Sequence, residues 1–222
     1  SKKSVSNIPV ALVGQALSVT NRFIHGHFLV VQILFQPGAL FRLTGLPGQE
    51  IADTYMEADQ VFSKEVHEVN EAFFHARDYQ EMVQIADCFI QKLANKVKKE
   101  HHAVDDVCQW MLSNPVSSLD QLARRSFLST KQLERKFLER TGVNPKQFVR
   151  LVRFDRAFRE KNRHPHRNWE TIAFDCNYYD YQHLVRDYKT FTGLKPTEFH
   201  HLESTAPERR FGLAEHYYET QI

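Results

Sequence analysis

The spacing of apolar positions changes along the chain, and each change marks a different kind of element. Between residues 8 and 44, β-branched and aromatic residues cluster in "ALSVTNRF" and "HFLVVQILF", and the Pro and Gly of "QPGALFRLTGLPG" end the run. That pattern predicts a small sheet or hairpin. From Met56 onward, Ala58, Val61, Phe62, Val66, Val69 and Phe73 fall on one helical face, and Tyr79, Met82, Val83, Ala86, Phe89, Ile90, Leu93 and Val97 fall on another. Two helices joined near Arg77 and Asp78 are predicted. The second stripe reads either as a covered core face within one chain or as the seam of a dimer. A third short helix, "AVDDVCQWMLSN", should end at Asn114-Pro115, because proline disfavours helical backbone in the residue before it. The domain boundary is expected there.

Beyond that boundary the chain repeats itself. In "STKQLERKFLERTGVNPKQF" (129–148) and "YYDYQHLVRDYKTFTGLKPTEF" (178–199), Leu133 matches Leu184, Arg135 matches Arg186, Phe137 matches Tyr188, Gly142 matches Gly193, Pro145 matches Pro196 and Phe148 matches Phe199, always 51 residues apart. Upstream, Leu122 and Ala123 match Ile172 and Ala173 at a separation of 50. One supersecondary unit is used twice. In the first copy, "SSLDQLARRS" is a short helix capped by Ser117 or Ser118. After a turn, Ser129 caps a second helix whose Leu133, Phe137 and Leu138 are buried. Gly142 suits the left-handed residue that comes after a helix, and Pro145 suits the first turn of the next one. Two short helices separated by a tight turn are a helix-turn-helix, whose second helix enters the major groove of DNA. A long helix from Lys146 to about Lys161 should hold the two units in fixed relation, with Arg150, Arg153, Arg156 and Arg159 either reaching phosphate or lying over apolar surface.

Charge sharpens this picture. The net charge is only +2, but Lys and Arg number 17 against 10 Asp and Glu over residues 116–200, and 10 against 13 over residues 1–115. Local basicity of this kind is the footprint of a polyanion partner, or simply a solvated basic face. The 42% hydrophobic content is that of a globular protein, and the run at 28–35 is too short to span a bilayer, so no membrane partner is expected. Three widely spaced cysteines, Cys88, Cys108 and Cys176, with no C-x-x-C, fit buried thiols in a reducing cytoplasm.

These residues carry a resemblance. The region from about 116 to 200 resembles the DNA-binding domain of the AraC/XylS family of transcriptional regulators, whose pattern has two helix-turn-helix units and closes on an aromatic, a Gly-x-x-Pro step and a final aromatic. The family's R-x-x-x-A on the linking helix is matched by Arg153 to Ala157, and its His-apolar-x-Arg by His183, Leu184, Val185 and Arg186. More weakly, "LFQPGALFRLTG" and the helices after it are similar to the latter part of the sensor-like domain of one AraC subgroup. The resemblance implies an α+β, mainly α protein: a small β-containing N-terminal region with helices, then an all-α DNA-binding domain of two helix-turn-helix units joined by a long helix. The expected divisions are a sensor or dimerisation region at 1–113, apparently truncated at its N-terminus, the DNA-binding domain at 114–200 and a tail at 201–222. By position the family's DNA-contacting residues fall on Lys131, Gln132, Glu134 and Arg135 in the first unit and on Tyr181, Gln182, Val185 and Arg186 in the second. The side-chain chemistry is compatible: Arg and Lys pair with guanine, Gln with adenine, and Glu accepts from the cytosine amino group.

The implied function is a cytoplasmic, sequence-specific transcription factor, an activator since the family mostly activates. Its partner is double-stranded DNA, with RNA polymerase, a small-molecule effector and a second copy of the chain as further expected partners. The competing reading is a ligand-binding or dimerising module whose DNA binding has decayed. No cofactor and no metal are expected: "IHGHF" offers His25 and His27, and His101-His102 lie near Asp105 and Asp106, but neither group completes a ligand set. No phosphate loop and no nucleophile-base arrangement is recognisable, so the protein is not expected to be an enzyme. A thiol-based DNA repair enzyme is disfavoured by the isolation of the cysteines. Three departures from the family pattern stand out: Phe127 and Asn177, at the turns, occupy positions where a small residue or glycine is easier, and Gln182 stands where the family has a serine before the histidine.

Overall fold

The computed structural model describes residues 9–19, 29–115 and 117–206. Among the described residues the first element is β1 (Ala11–Val13), and α1 (Ala39–Thr44), α2 (Gly48–Ile51), β2 (Tyr55–Glu57), α3 (Asp59–Phe62), α4 (Glu65–His75) and α5 (Tyr79–Ala94) come after it. Next come α6 (Ala103–Ser113), α7 (Leu119–Arg125), α8 (Thr130–Thr141), α9 (Pro145–Arg163), α10 (Trp169–Asp175), α11 (Tyr181–Thr192) and α12 (Pro196–Ser204). The protein is α+β and mainly α, with a single two-stranded antiparallel sheet among the described residues, in which Leu12 faces Met56.

The N-terminal region departs from its periodicity in two places. Of the small sheet or hairpin expected within 8–44, the described residues there hold one strand of a small sheet, β1, and no hairpin. Residues 29–36 carry no strand despite their apolar content, and β1 finds its partner in β2, far along the chain. Apolar runs of this length do not specify a pairing partner; backbone geometry elsewhere supplies it. The helix expected from Met56 is also divided. Met56 belongs to β2, and Ser63, with φ 64°, separates α3 from α4. The next helix begins as expected, with the Asp78 side chain accepting from the Glu81 amide. Its apolar stripe splits. Phe89 is buried edge-on against Phe62, with ring centroids 5.9 Å apart, in a core shared with Leu12, Ala58 and Val66. Tyr79, at the other end of the stripe, is 78% exposed. The Phe89 half is therefore intrachain core.

Two further cores lie in the repeated region. The first gathers Val104, Val107, Cys108 and Met111 of α6 with Leu122, Leu133, Phe137, Phe148 and Val152. The second gathers Ala157, Trp169, Ile172, Cys176, Tyr178, Leu184 and Tyr188. Each large side chain so buried contributes about 1.5–3 kcal/mol of hydrophobic stabilisation. Because α6 lies upstream of residue 114, the first core runs across the expected domain boundary, and it is this core that covers the apolar face of α6. The N-terminal region meets this body at two glycines. A Cβ added to Gly48 would lie 2.2 Å from the Gly142 amide nitrogen, so α2 can sit this close to the end of α8 only without side chains at the contact.

The repeat is reproduced in backbone detail. Ser118, Ser129, Asn144, Asn168 and Asp180 cap α7 to α11 by accepting from an amide three residues on. Gly142 and Gly193 end α8 and α11 with φ 79° and 76°, and Pro145 and Pro196 open the next helices. In both turns a non-glycine residue takes positive φ: Phe127 at 55° and Asn177 at 62°. A bulky L-residue there is strained by about 1–2 kcal/mol, and the Phe127 ring, 96% exposed, recovers nothing by packing. Phe127→Gly is therefore expected to raise the urea midpoint at constant slope, with a net gain of about 0.5–1 kcal/mol after the added chain entropy of glycine. Asn177→Gly should gain less, since asparagine tolerates this region. An equal or smaller gain at 127 would contradict the strain argument.

Candidate nucleic-acid interface

The exposed faces of α8 and α11 are defined by what the opposite faces bury. Leu133 and Phe137 in α8, and Leu184 and Tyr188 in α11, sit one turn apart and are fully buried, which turns the opposite face of each helix outward. On α8 this leaves Lys131, Gln132, Glu134 and Arg135 exposed together on the first two turns. Gln132 is partly committed: its Oε1 accepts from the Ser129 amide at 3.0 Å and the Ser129 hydroxyl at 2.9 Å, closing a capping box. On α11, Gln182 and Arg186 are exposed, Val185 is half-buried, and Tyr181 leans on the second core, where burial first and the Glu170 charge second push its phenol up. Lys189 and Thr190 extend the exposed face of α11 by one turn; the family pattern, which marks only the earlier turns, carries no signal for them. Asp180 caps α11 and also holds His183 Nδ1 at 2.9 Å. Its carboxyl is drawn below the usual range by the His183 amide first and the His183 ring next.

The connector α9 uses its arginines internally. Arg150 Nε donates to Asp187 Oδ1 at 2.8 Å and reaches Thr190 Oγ1 at 3.3 Å, both on α11. Arg153 donates to the Asn177 carbonyl at 3.3 Å and lies 4.8 Å over the Tyr178 ring. Arg156 donates to the Leu112 carbonyl on α6 at 2.6 Å, and Arg159 pairs with Asp155 at 2.7 Å. These arginines, expected to reach phosphate or to lie over apolar surface, instead make hydrogen bonds and ion pairs within the protein, and Arg150 and Arg153 also lie over the Phe191 and Tyr178 rings. Lys161 is likewise turned inward. It donates to the Pro165 and Arg167 carbonyls at 2.7 and 2.6 Å, and its burial holds its pKa below the lysine range. Arg167 ties α9 to α10 by pairing with both Glu160 and Asp175. The basic excess of the sequence thus divides into internal clamps and an outward set that includes Lys131, Arg135, Arg186 and Lys189.

Other candidate chemistry is spent on structure. His102 Nδ1 accepts from the Val104 amide, Asp105 accepts from the His102 amide and binds Arg140, and His101 pairs with Asp106. No cluster of three metal-ligating side chains occurs among the described residues. His25 and His27 lie outside them. Burial pushes the Cys176 thiol up to about 12 and the Cys108 thiol higher still, so neither is poised as a nucleophile. Cys88 departs from the expectation of three buried thiols and is exposed on α5, where the turn of the helix carries it off the Phe89 face. No described helix is long and apolar enough to cross a membrane.

Two helix pairs with matched caps, turns and outward basic faces constitute a helix-turn-helix DNA-binding domain. Residues 122–201 match the family model described as "Helix-turn-helix domain", and this segment is a helix-turn-helix domain of AraC type. Among solved structures, ToxT from Vibrio cholerae O395 is similar at 13% identity and a TM-score of 0.47, over 68% of this chain and 61% of that one. The chain thus spans less than two thirds of that protein. No curated protein matches the chain.

Proposed function

We propose that the protein is a sequence-specific transcription factor, acting as an activator in the cytoplasm, that inserts α8 and α11 into successive major grooves of double-stranded DNA. The observation that carries this reading is the pair of recognition helices presenting Arg135 and Arg186 at equivalent exposed positions, on units that a single arginine-clamped helix holds together. Lys131, Gln132, Glu134 and Arg135 read one element of the site and Tyr181, Gln182, Val185 and Arg186 the other. Gln132 contributes through the amide group that its cap leaves available, and Tyr181 and Val185 through their exposed edges. The DNA-binding unit extends from α6 through α12, since α6 shares the first core. Residues upstream of α6 form the sensor or dimerisation region, residues beyond α12 the tail. A small-molecule effector, RNA polymerase and a second copy of the chain complete the set of partners. Pairing between copies uses the exposed Tyr79 end of α5, since the Phe89 end is core.

The experiment is a salt titration of binding to a site selected from random DNA. With several basic side chains committed inside the protein, about 4 to 6 phosphate contacts remain to be made, giving a log-log salt slope of roughly −4 to −5. A slope near zero removes DNA as the partner. In the same assay Arg186→Ala is expected to weaken the selected site by about 1–3 kcal/mol and to relax preference at one base pair, as for a lost bidentate contact to guanine. Equal losses on selected and random DNA would make Arg186 a phosphate anchor.

A further inference from the structure

The apolar contacts that seat α8 and α11 are non-directional and leave a helix free to slide or rotate by some degrees on its core. Base reading tolerates little of this, since contact geometry must hold to about 0.5 Å and 10–20°. Each recognition helix carries one buried charged side chain, Arg140 or Asp187, whose ion pair reaches a helix outside its own helix-turn-helix. On α8, Arg140 Nη1 donates to both Asp105 oxygens of α6, at 2.8 and 2.7 Å, while Nη2 reaches the Glu100 carbonyl at 3.3 Å and the guanidinium stacks 4.9 Å over Phe41. On α11, Asp187 is buried, accepts from Arg150 of α9 at 2.8 Å and has Arg153 of α9 3.9 Å from its second oxygen. The two pairs are not copies. The position equivalent to Asp187 in the first unit is Lys136, and the position equivalent to Arg140 in the second is Phe191, so each unit reached a charged lock by a different route.

We propose that Arg140 and Asp187 are positioning residues for DNA reading: the Arg140–Asp105 pair sets the rotation of α8, the Asp187–Arg150–Arg153 cluster sets the rotation of α11, and each governs its own half of the binding site. The geometry favours this over a role in stability alone. A buried ion pair is a poor source of net stability compared with apolar residues of the same shape, whereas its directionality is what a packed apolar face lacks. Asp187 directly follows Arg186, so any rotation it prevents would move that arginine by the same angle about the helix axis.

The proposal rests on the DNA-binding reading and is tested on the full chain with a selected DNA site. The half-elements are assigned by Arg135→Ala and Arg186→Ala. Binding is then measured to the intact site and to sites in which one half-element or the other is scrambled, each scrambling costing the wild type roughly tenfold or more. In Asp187→Asn, scrambling the α11 element is expected to cost nearly nothing while scrambling the α8 element keeps its full cost. In the double variant Asp105→Asn/Arg140→Met, which leaves no lone buried charge, the pattern is expected to reverse. Should Asp187→Asn not fold, Arg150→Met removes the same contact from α9. Retention of both penalties in these variants, or a uniform loss of both, overturns the proposal and assigns the pairs to stability. Failure of the wild type to prefer the selected site over random DNA would instead sink the DNA-binding reading itself.

Discussion

Arg140→Ala is expected to destabilise the protein by about 3–5 kcal/mol, enough to unfold a large share of the molecules of a marginally stable domain. Asp105 and Arg140 are both buried, and the guanidinium is the one cation paired with Asp105 among the described residues. Its removal strands a carboxylate that keeps the bond from the His102 amide at 2.9 Å but loses its counter-charge. The stacking on Phe41 is lost at the same time, so α1 loosens from α8. The measurement is the urea midpoint, with the double variant Asp105→Asn/Arg140→Met as comparison. That variant carries no lone charge and should recover most of the loss. If Arg140→Ala and the double variant prove equally unstable, the deficit comes from lost packing rather than from an unpaired carboxylate.

The second large effect is on the DNA. The connector α9 has 19 residues and spans roughly 28 Å, whereas major grooves on one face of B-DNA recur every ~34 Å. Arg150 and Arg153 fasten the connector to the second unit and Arg156 fastens it to α6, so the reading helices cannot separate to reach along a longer site. Inserting ~5 base pairs between the half-elements places the second on the opposite face of the duplex, and affinity is expected to fall by about 10²-fold or more, to that of one unit. Inserting ~10 base pairs should not restore it for a single chain, because the next groove lies beyond the reach of α9. Unchanged binding after the half-turn insertion would mean that only one unit reads DNA and that the other keeps its fold without its function.

The local features of the repeat were legible in the sequence because their causes lie within a few residues of one another. Caps at Ser118 and Ser129, the left-handed Gly142 and Gly193, Pro145 at the start of α9 and the buried pairs Leu133–Phe137 and Leu184–Tyr188 all arise from spacing on a single helix and its ends. Comparing the two copies separates what both need from what either could lose, so the outward arginines stood out as well. The tertiary structure was required for every feature whose cause is distant in sequence. An arginine can serve a phosphate, a carboxylate or a carbonyl equally well, and nothing in its helical position says which. Only the fold brings Asp187 to Arg150 and Asp105 to Arg140, pairs separated by 37 and 35 residues, and so gives Arg150, which could equally have served phosphate, a carboxylate within the protein. The same holds for β1, whose partner Tyr55–Glu57 sat inside an apolar pattern that reads equally well as helix, and for α6, which a proline boundary assigned to one region and a shared apolar core joined to the other. Periodicity records which face of an element is buried; it does not record against what.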